Sequence, residues 1–205
     1  MYETMISEIA KNKLESFKPS FDEINKKMSP NELLKNSEKL GISGDKAEIE
    51  NIKNEVNEKQ KISEQSDYSK EVNNRIRSVD ELNVYKNEGL EEGEVNGRIV
   101  LKDNSIDINL KDEKGRTNLE RMEKGLATID ENGKPYNLHH IGQNSDSPLA
   151  ELKDEVHKKN DAILHDKSKP TEVHGSNSEV NWDKERSEHW KARAEEIKAE
   201  QNKGV

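Results

Sequence analysis

Apolar residues are thinly scattered over the first third of this chain and gather into short, patterned groups only after residue 78. Helical spacings occur in residues 1–17 and 31–40, but Pro19 and Pro30 cut them off, because proline removes a backbone donor and crowds the preceding turn. Residues 45–77 are mostly Glu, Lys and Asn with isolated Ile49, Ile52, Val56 and Ile62. Those four can share one helix face, a stripe wide enough for a partner or a weak coiled coil and too thin for an independent core. Residues 1–77 are therefore expected to form a polar linker or delivery-associated region, largely helical or disordered.

From Ser78 the pattern changes. Ser78 and Glu81 have the spacing of a capping box and Gly89 suits a helix stop, which predicts a helix over 79–88 and a domain boundary just before it. Residues 98–102 and 105–110, separated by Asp103-Asn104, read as two short strands around a turn. Thr117 and Glu120 form a second capping box, with Gly125 at the end of that helix. Asn132-Gly133 predicts a hairpin between 126–130 and 136–141. A polar loop over 142–147, an apolar stretch over 148–152 and a helical composition over 152–159 follow, with a loop over 167–178. Asn181 caps a last helix from Trp182 to about Glu200, whose stripe mixes Trp182, His189, Trp190 and Ile197 with Arg186 and Arg193.

Composition narrows this picture. A hydrophobic content of 29% against 38% charged residues means that only part of the 205 residues can build a core. No apolar run approaches the ~18 residues that span a bilayer, and the amino terminus lacks the order of a secretory signal. Without cysteine there is neither a disulfide nor a thiolate metal site. The net charge of -9 disfavours a phosphate-binding partner overall, so local basic groups matter more than the sum. Lys111, Lys114, Arg116, Arg121 and Lys124 lie ahead of the histidine-rich stretch, and Arg186, Lys191 and Arg193 after it. Arg116 sits just before a helix amino terminus, where anions are favoured.

The candidate chemistry lies between residues 136 and 166, which hold four of the six histidines: His139, His140, His157 and His165. His174 has no motif around it and reads as surface decoration. Histidine is the commonest metal ligand and titrates near neutrality, so a cluster of it points to a site. On a strand, adjacent side chains face opposite ways, so His139 and His140 are suited to two roles: one holds a metal, the other takes a proton from water. The eight residues from His157 to His165 exceed two helical turns, which places a break near 158–162.

Asn137-Leu138-His139-His140-Ile141-Gly142-Gln143, then Pro148-Leu149-Ala150-Glu151-Leu152, Glu155-Val156-His157 and Ile163-Leu164-His165, resemble the LHH group of HNH/endonuclease VII nucleases. The run from Gly115 to Met122 and that from His189 to Ala194 fit the same group. The resemblance implies an α+β, ββα-metal nuclease core with flanking helices over residues 78–205, and says nothing of 1–77. It implies a divalent ion (Zn, Ni, Co, Mn or Mg) on His139, His157 and His165, with His140 as general base. Asn160 would serve as ligand or strut and Asp166 would orient His165. Arg116 would contact phosphate in catalysis, and Arg121, Arg186 and Arg193 would bind nucleic acid, DNA before RNA. This group is known chiefly as the toxin module of bacterial polymorphic toxins. An acidic immunity protein is therefore an expected partner, with synthesis in the bacterial cytoplasm, export by a specialised route and action in a target cell. Two other readings stay open: a catalytically silent binding or immunity-type protein, favoured by the acidic balance, and a metal-binding regulator.

Overall fold

The computed structural model describes residues 46–168, 173 and 181–203, with the side chains of 46–50, 52, 53 and 56 outside that description. The helices expected over 1–17 and 31–40, the side chains of Ile49, Ile52 and Val56, and the loop positions Pro170, His174 and Gly175 lie outside the described residues. The chain divides into two compact units, residues 1–61 and 62–205. In the first unit the described residues belong to helix α1 (Lys46–Gln65).

The second unit is an α+β domain around a four-stranded sheet. It opens with Ile62, α2 (Lys70–Arg75) and α3 (Val79–Asn87). Ile62, Val72 and Ile76 are fully buried against Leu82, Tyr85, Leu101, Ile141 and Leu164. The compact unit thus begins at Ile62, ahead of the sequence boundary at Ser78. The reason is that three scattered apolar residues each fill a place in a core built mostly by later elements. Ser78 caps α3 as expected, its hydroxyl accepting from the Glu81 amide at 3.1 Å, but Glu81 reaches back one residue further, to the amide of Arg77 at 2.8 Å.

Strand β1 (Glu91–Val95) turns at Asn96-Gly97 into β2 (Arg98–Lys102). Both turn residues have positive φ, 53° and 74°, the left-handed backbone that a tight hairpin requires. β2 is where the pattern placed it, but its partner is β1. The expected strand over 105–110 is not formed, because Asp103 and Asp107 fold the chain into local turns: Asp103 Oδ1 accepts from the Ser105 amide and Asp107 Oδ1 from the Asn109 amide.

Helix α4 (Asn118–Glu123) carries the complete Thr117–Glu120 capping box. Behind it the hairpin expected around Asn132-Gly133 is reduced to a single bridge between Ile129 and Pro135. β3 (Asn137–His140) pairs antiparallel with β4 (Leu149–Leu152), and β4 runs parallel to β2, giving the order β1-β2-β4-β3. Short helices α5 (Asp154–Lys159) and α6 (Asp161–Leu164) follow, and α7 (Trp182–Lys203) closes the fold.

The sheet separates two cores. Leu101, Ala150, Leu152 and Ile141 join the helices α2, α3 and α6 on one face. Val100, Leu138 and Leu149 meet Met122, Trp190 and Ala194 on the other. His139 pairs with Ala150 and His140 with Leu149, so the two histidines leave β3 into different cores.

Candidate metal centre

Period-two alternation carries His139 to the face where Tyr85, α5 and α6 lie. Its ring is 6.5 Å from that of Tyr85, 5.4 Å from His157 and 5.0 Å from His165, and the last two rings are 5.0 Å apart. One ligand nitrogen from each of the three lies within 4.8 Å of the others. The break that lets α5 and α6 both contribute is Asn160. It ends the first helix at φ -101° and bonds its side-chain amide back to the Val156 carbonyl at 2.9 Å, a strut between the two histidine-bearing turns.

Charge and burial set the protonation of this cluster. Burial is the largest cause holding His139 well below the ordinary imidazole range, followed by the charges of His157 and His165. His157 is also lowered, by burial first and then by His165. Both therefore stand neutral near pH 7, the form that ligates metal. His139 is 3% exposed and its Nε2 has no hydrogen-bond partner. An apolar pocket does not tolerate such an atom without compensation. The three-imidazole set fits a divalent ion on this ground. His157 and His165 are only partly buried, so the site is closed behind His139 and open beside them.

The carboxylate set against His165 comes from Asp161, one turn earlier: its Oδ1 is 2.9 Å from Nδ1. That contact turns Nδ1 inward and leaves Nε2 for a ligand role. Asp166, the expected orienting residue, accepts from the amide and hydroxyl of Ser168, at 3.0 and 2.6 Å, and shapes the loop. Spacing was a usable signal for Asp161, since residues four apart face one another on a helix.

His140 enters the opposite core. Its ring is 5.2 Å from that of Trp182, and its Nε2 is 3.1 Å from Glu185 Oε2 on α7. Glu185 is held in turn by an ion pair from Arg98 Nη1, and Arg98 is fixed by the carbonyls of Ser145 and Ser147. Neither Glu185 nor Arg98 carried a recognisable sequence signal: each stands among many similar charges.

The arginines expected at the nucleic acid are largely committed to carboxylates. Arg116 and Arg121 both pair with Asp112 Oδ2 at 2.6 Å, and they hold its carboxyl well below the usual range, Arg116 most strongly. Arg186 is the exposed one, 3.1 Å from Asp183. Arg193 is a correction. It is 4% exposed and shares Glu151 Oε1 with His189, at 2.9 and 2.8 Å, so its head is a buried tie between α7 and β4 rather than a groove contact. Glu151 also accepts from the Asp103 amide, and Asp103 from the Tyr136 hydroxyl. A charged residue inside the apolar run Leu149–Leu152 was the signal for this network, since buried charge requires partners.

No helix among the described residues is long and apolar enough to cross a membrane. No solved structure matches the chain significantly. Residues 117–196 match the model of a family described as a nuclease of the HNH/ENDO VII superfamily with conserved LHH. That segment holds β3, β4, α5 and α6, hence all three clustered histidines together with His140. Through residues 117–196 the chain is similar to this nuclease family.

Proposed function

We propose that this domain hydrolyses phosphodiester bonds of nucleic acid, DNA in preference to RNA, with a divalent ion held by His139, His157 and His165. The observation that carries the reading is the convergence of three imidazoles around a buried, unpartnered Nε2 in a domain similar to a nuclease family. When bound, the ion would polarise the scissile phosphate and offset charge on the departing oxygen.

The protein's own groups supply the rest. His139 anchors the ligand set from the rigid sheet, while His157 presents its ring from α5 and His165 from the residue that follows α6, on either side of Asn160. Asp161 fixes the His165 ring. By kinship with the family, His140 is assigned as the base that takes a proton from the attacking water, with Glu185 Oε2 3.1 Å from its Nε2. The Glu185 carboxylate stabilises the imidazolium that results, and Arg98 keeps that carboxylate in place.

By kinship with toxin modules, the domain acts as a toxin in a competing cell after export and is restrained in its producer by an acidic immunity protein. Charge steering would speed that inhibitor's approach at low salt. A plasmid-nicking assay with purified protein and added divalent metal tests the activity. Wild type nicks and His140→Ala, folded and metal-loaded, does not; equal cleavage by the two removes the base from the scheme. Duplex RNA in the same assay tests the preference.

A further inference from the structure

The open side of the histidine cluster needs a cation that can meet a phosphate, and the arginines after residue 112 are committed elsewhere. Arg77 is different. It lies in the short link between α2 and α3, ahead of the segment that matches the nuclease family. Its Nε contacts Glu81 Oε2 at 3.3 Å and its Nη2 donates to the Ile163 carbonyl at 2.5 Å, two residues before His165. Glu81 is itself fully buried and fixed by the Tyr85 hydroxyl at 2.8 Å, and the Tyr85 ring faces His139. The guanidinium is thus clamped between the two walls of the site, by the helix that backs His139 and the helix that presents His165. Nη1 has no partner among the described residues, and the side chain is 27% exposed, as is fitting for a group that must reach solvent.

We propose that Arg77 is a substrate-binding residue whose free guanidinium edge takes a non-bridging oxygen of the phosphate presented to the histidine cluster. The proposal rests on the metal-dependent reading of that cluster. Arginine suits the task because two of its edges can be spent on anchoring while a third still donates in a fixed direction. The bookkeeping of charge is consistent: neutral imidazoles, a divalent ion and an Arg77–Glu81 pair leave a net positive pocket for a phosphodiester. Lys158 and Lys167, paired with Asp154 and Asp161 on the rim, are far more exposed and less directed.

The test uses the full chain, a short DNA duplex and four variants. In chelator, without cleavage, Arg77→Met should bind the duplex several-fold more weakly and lower the slope of log affinity against log salt by about one, the share of one lost phosphate contact. With divalent metal, Arg77→Met should lose at least about tenfold in kcat with unchanged metal affinity, and added guanidinium should restore part of it. Because Met leaves the buried Glu81 without its partner, Arg77→Met/Glu81→Gln repeats the measurement if the single variant fails to fold. Arg77→Lys, which keeps the charge and loses the fork, decides the matter if both do. His157→Ala reports on the underlying reading: cleavage that persists there overturns the metal-dependent scheme itself. Cleavage abolished in His157→Ala, together with Arg77 variants equal to wild type in duplex binding, salt slope and kcat, overturns the role of Arg77 alone.

Discussion

His139 and His189 are both buried to nearly the same degree, at 3% and 4% exposure, on opposite faces of one sheet, and they differ in what their ring nitrogens meet. His189 Nε2 is 2.8 Å from Glu151, which also receives Arg193 and the Asp103 amide, so every strong group there has a protein partner. His139 Nε2 has no hydrogen-bond partner among the described residues, and the rings beside it are those of Tyr85, His157 and His165. The first arrangement is complete without a ligand and ties α7 to the sheet. The second leaves a buried ring nitrogen unsatisfied, the atom that the proposed ion would engage. Burial does not separate a structural histidine from a ligating one; the inventory of partners does.

Removing Glu151 should have the largest effect. Glu151→Ala strands Arg193 and His189 in the core, and loss of one member of a buried ion pair costs about 3–5 kcal/mol. Urea denaturation of the metal-free protein should show it, and a change below 1 kcal/mol would mean the network is not the tie described. His139→Ala should do the reverse. It leaves no buried charge unpaired, so metal-free stability changes less, while metal affinity falls by roughly a hundredfold or more, as expected for a lost ligand. A calorimetric titration of the metal-stripped variant checks this.

Acid should separate the two faces further. The folded-state pKa values of His139 and His157 lie below the unfolded value of 6.5, so the unfolded chain binds more protons in the interval between them. Their contribution to stability is fully present above pH 6.5 and is lost as pH falls from 6.5 toward the folded values. Denaturation midpoints of the metal-free protein should therefore drop between pH 7 and 5.5, and His157→Ala should flatten that drop. A midpoint independent of pH in this window would show that the rings are not held neutral. The smallest effect is expected at Asp161→Asn, which leaves every ligand in place but loosens the His165 ring. Metal affinity should fall about tenfold with stability nearly unchanged.

Much of this site could be read from residue order alone. The adjacent pair His139-His140 predicts two roles on two faces, and the structure sends them there because strand alternation is a local rule that tertiary context rarely overrides. The break between His157 and His165 was legible for a similar reason, since helical geometry fixes how far apart two ligands on one face can be. What was not legible depended on long-range pairing. β2 and β4 are parallel neighbours joined through everything between them, and no local pattern announces that. The same blindness set the boundary at Ser78: Ile62, Val72 and Ile76 look isolated in sequence and become core only when Leu101, Ile141 and Leu164 arrive. Arginine roles were hardest to read. Arg98, Arg116, Arg121 and Arg193 are distinguished only by which carboxylate or carbonyl lies opposite, a property of the fold rather than of the segment.

The central claim is that the three histidines form one divalent-metal site that powers cleavage. Titration of zinc or manganese into metal-stripped wild type, His157→Ala and His189→Gln, followed by plasmid nicking of each loaded sample, tests it most directly. The account predicts one ion per chain and metal-dependent nicking for wild type, loss of both in His157→Ala, and retention of the ion in folded His189→Gln. Equal metal binding and equal nicking by wild type and His157→Ala would contradict it.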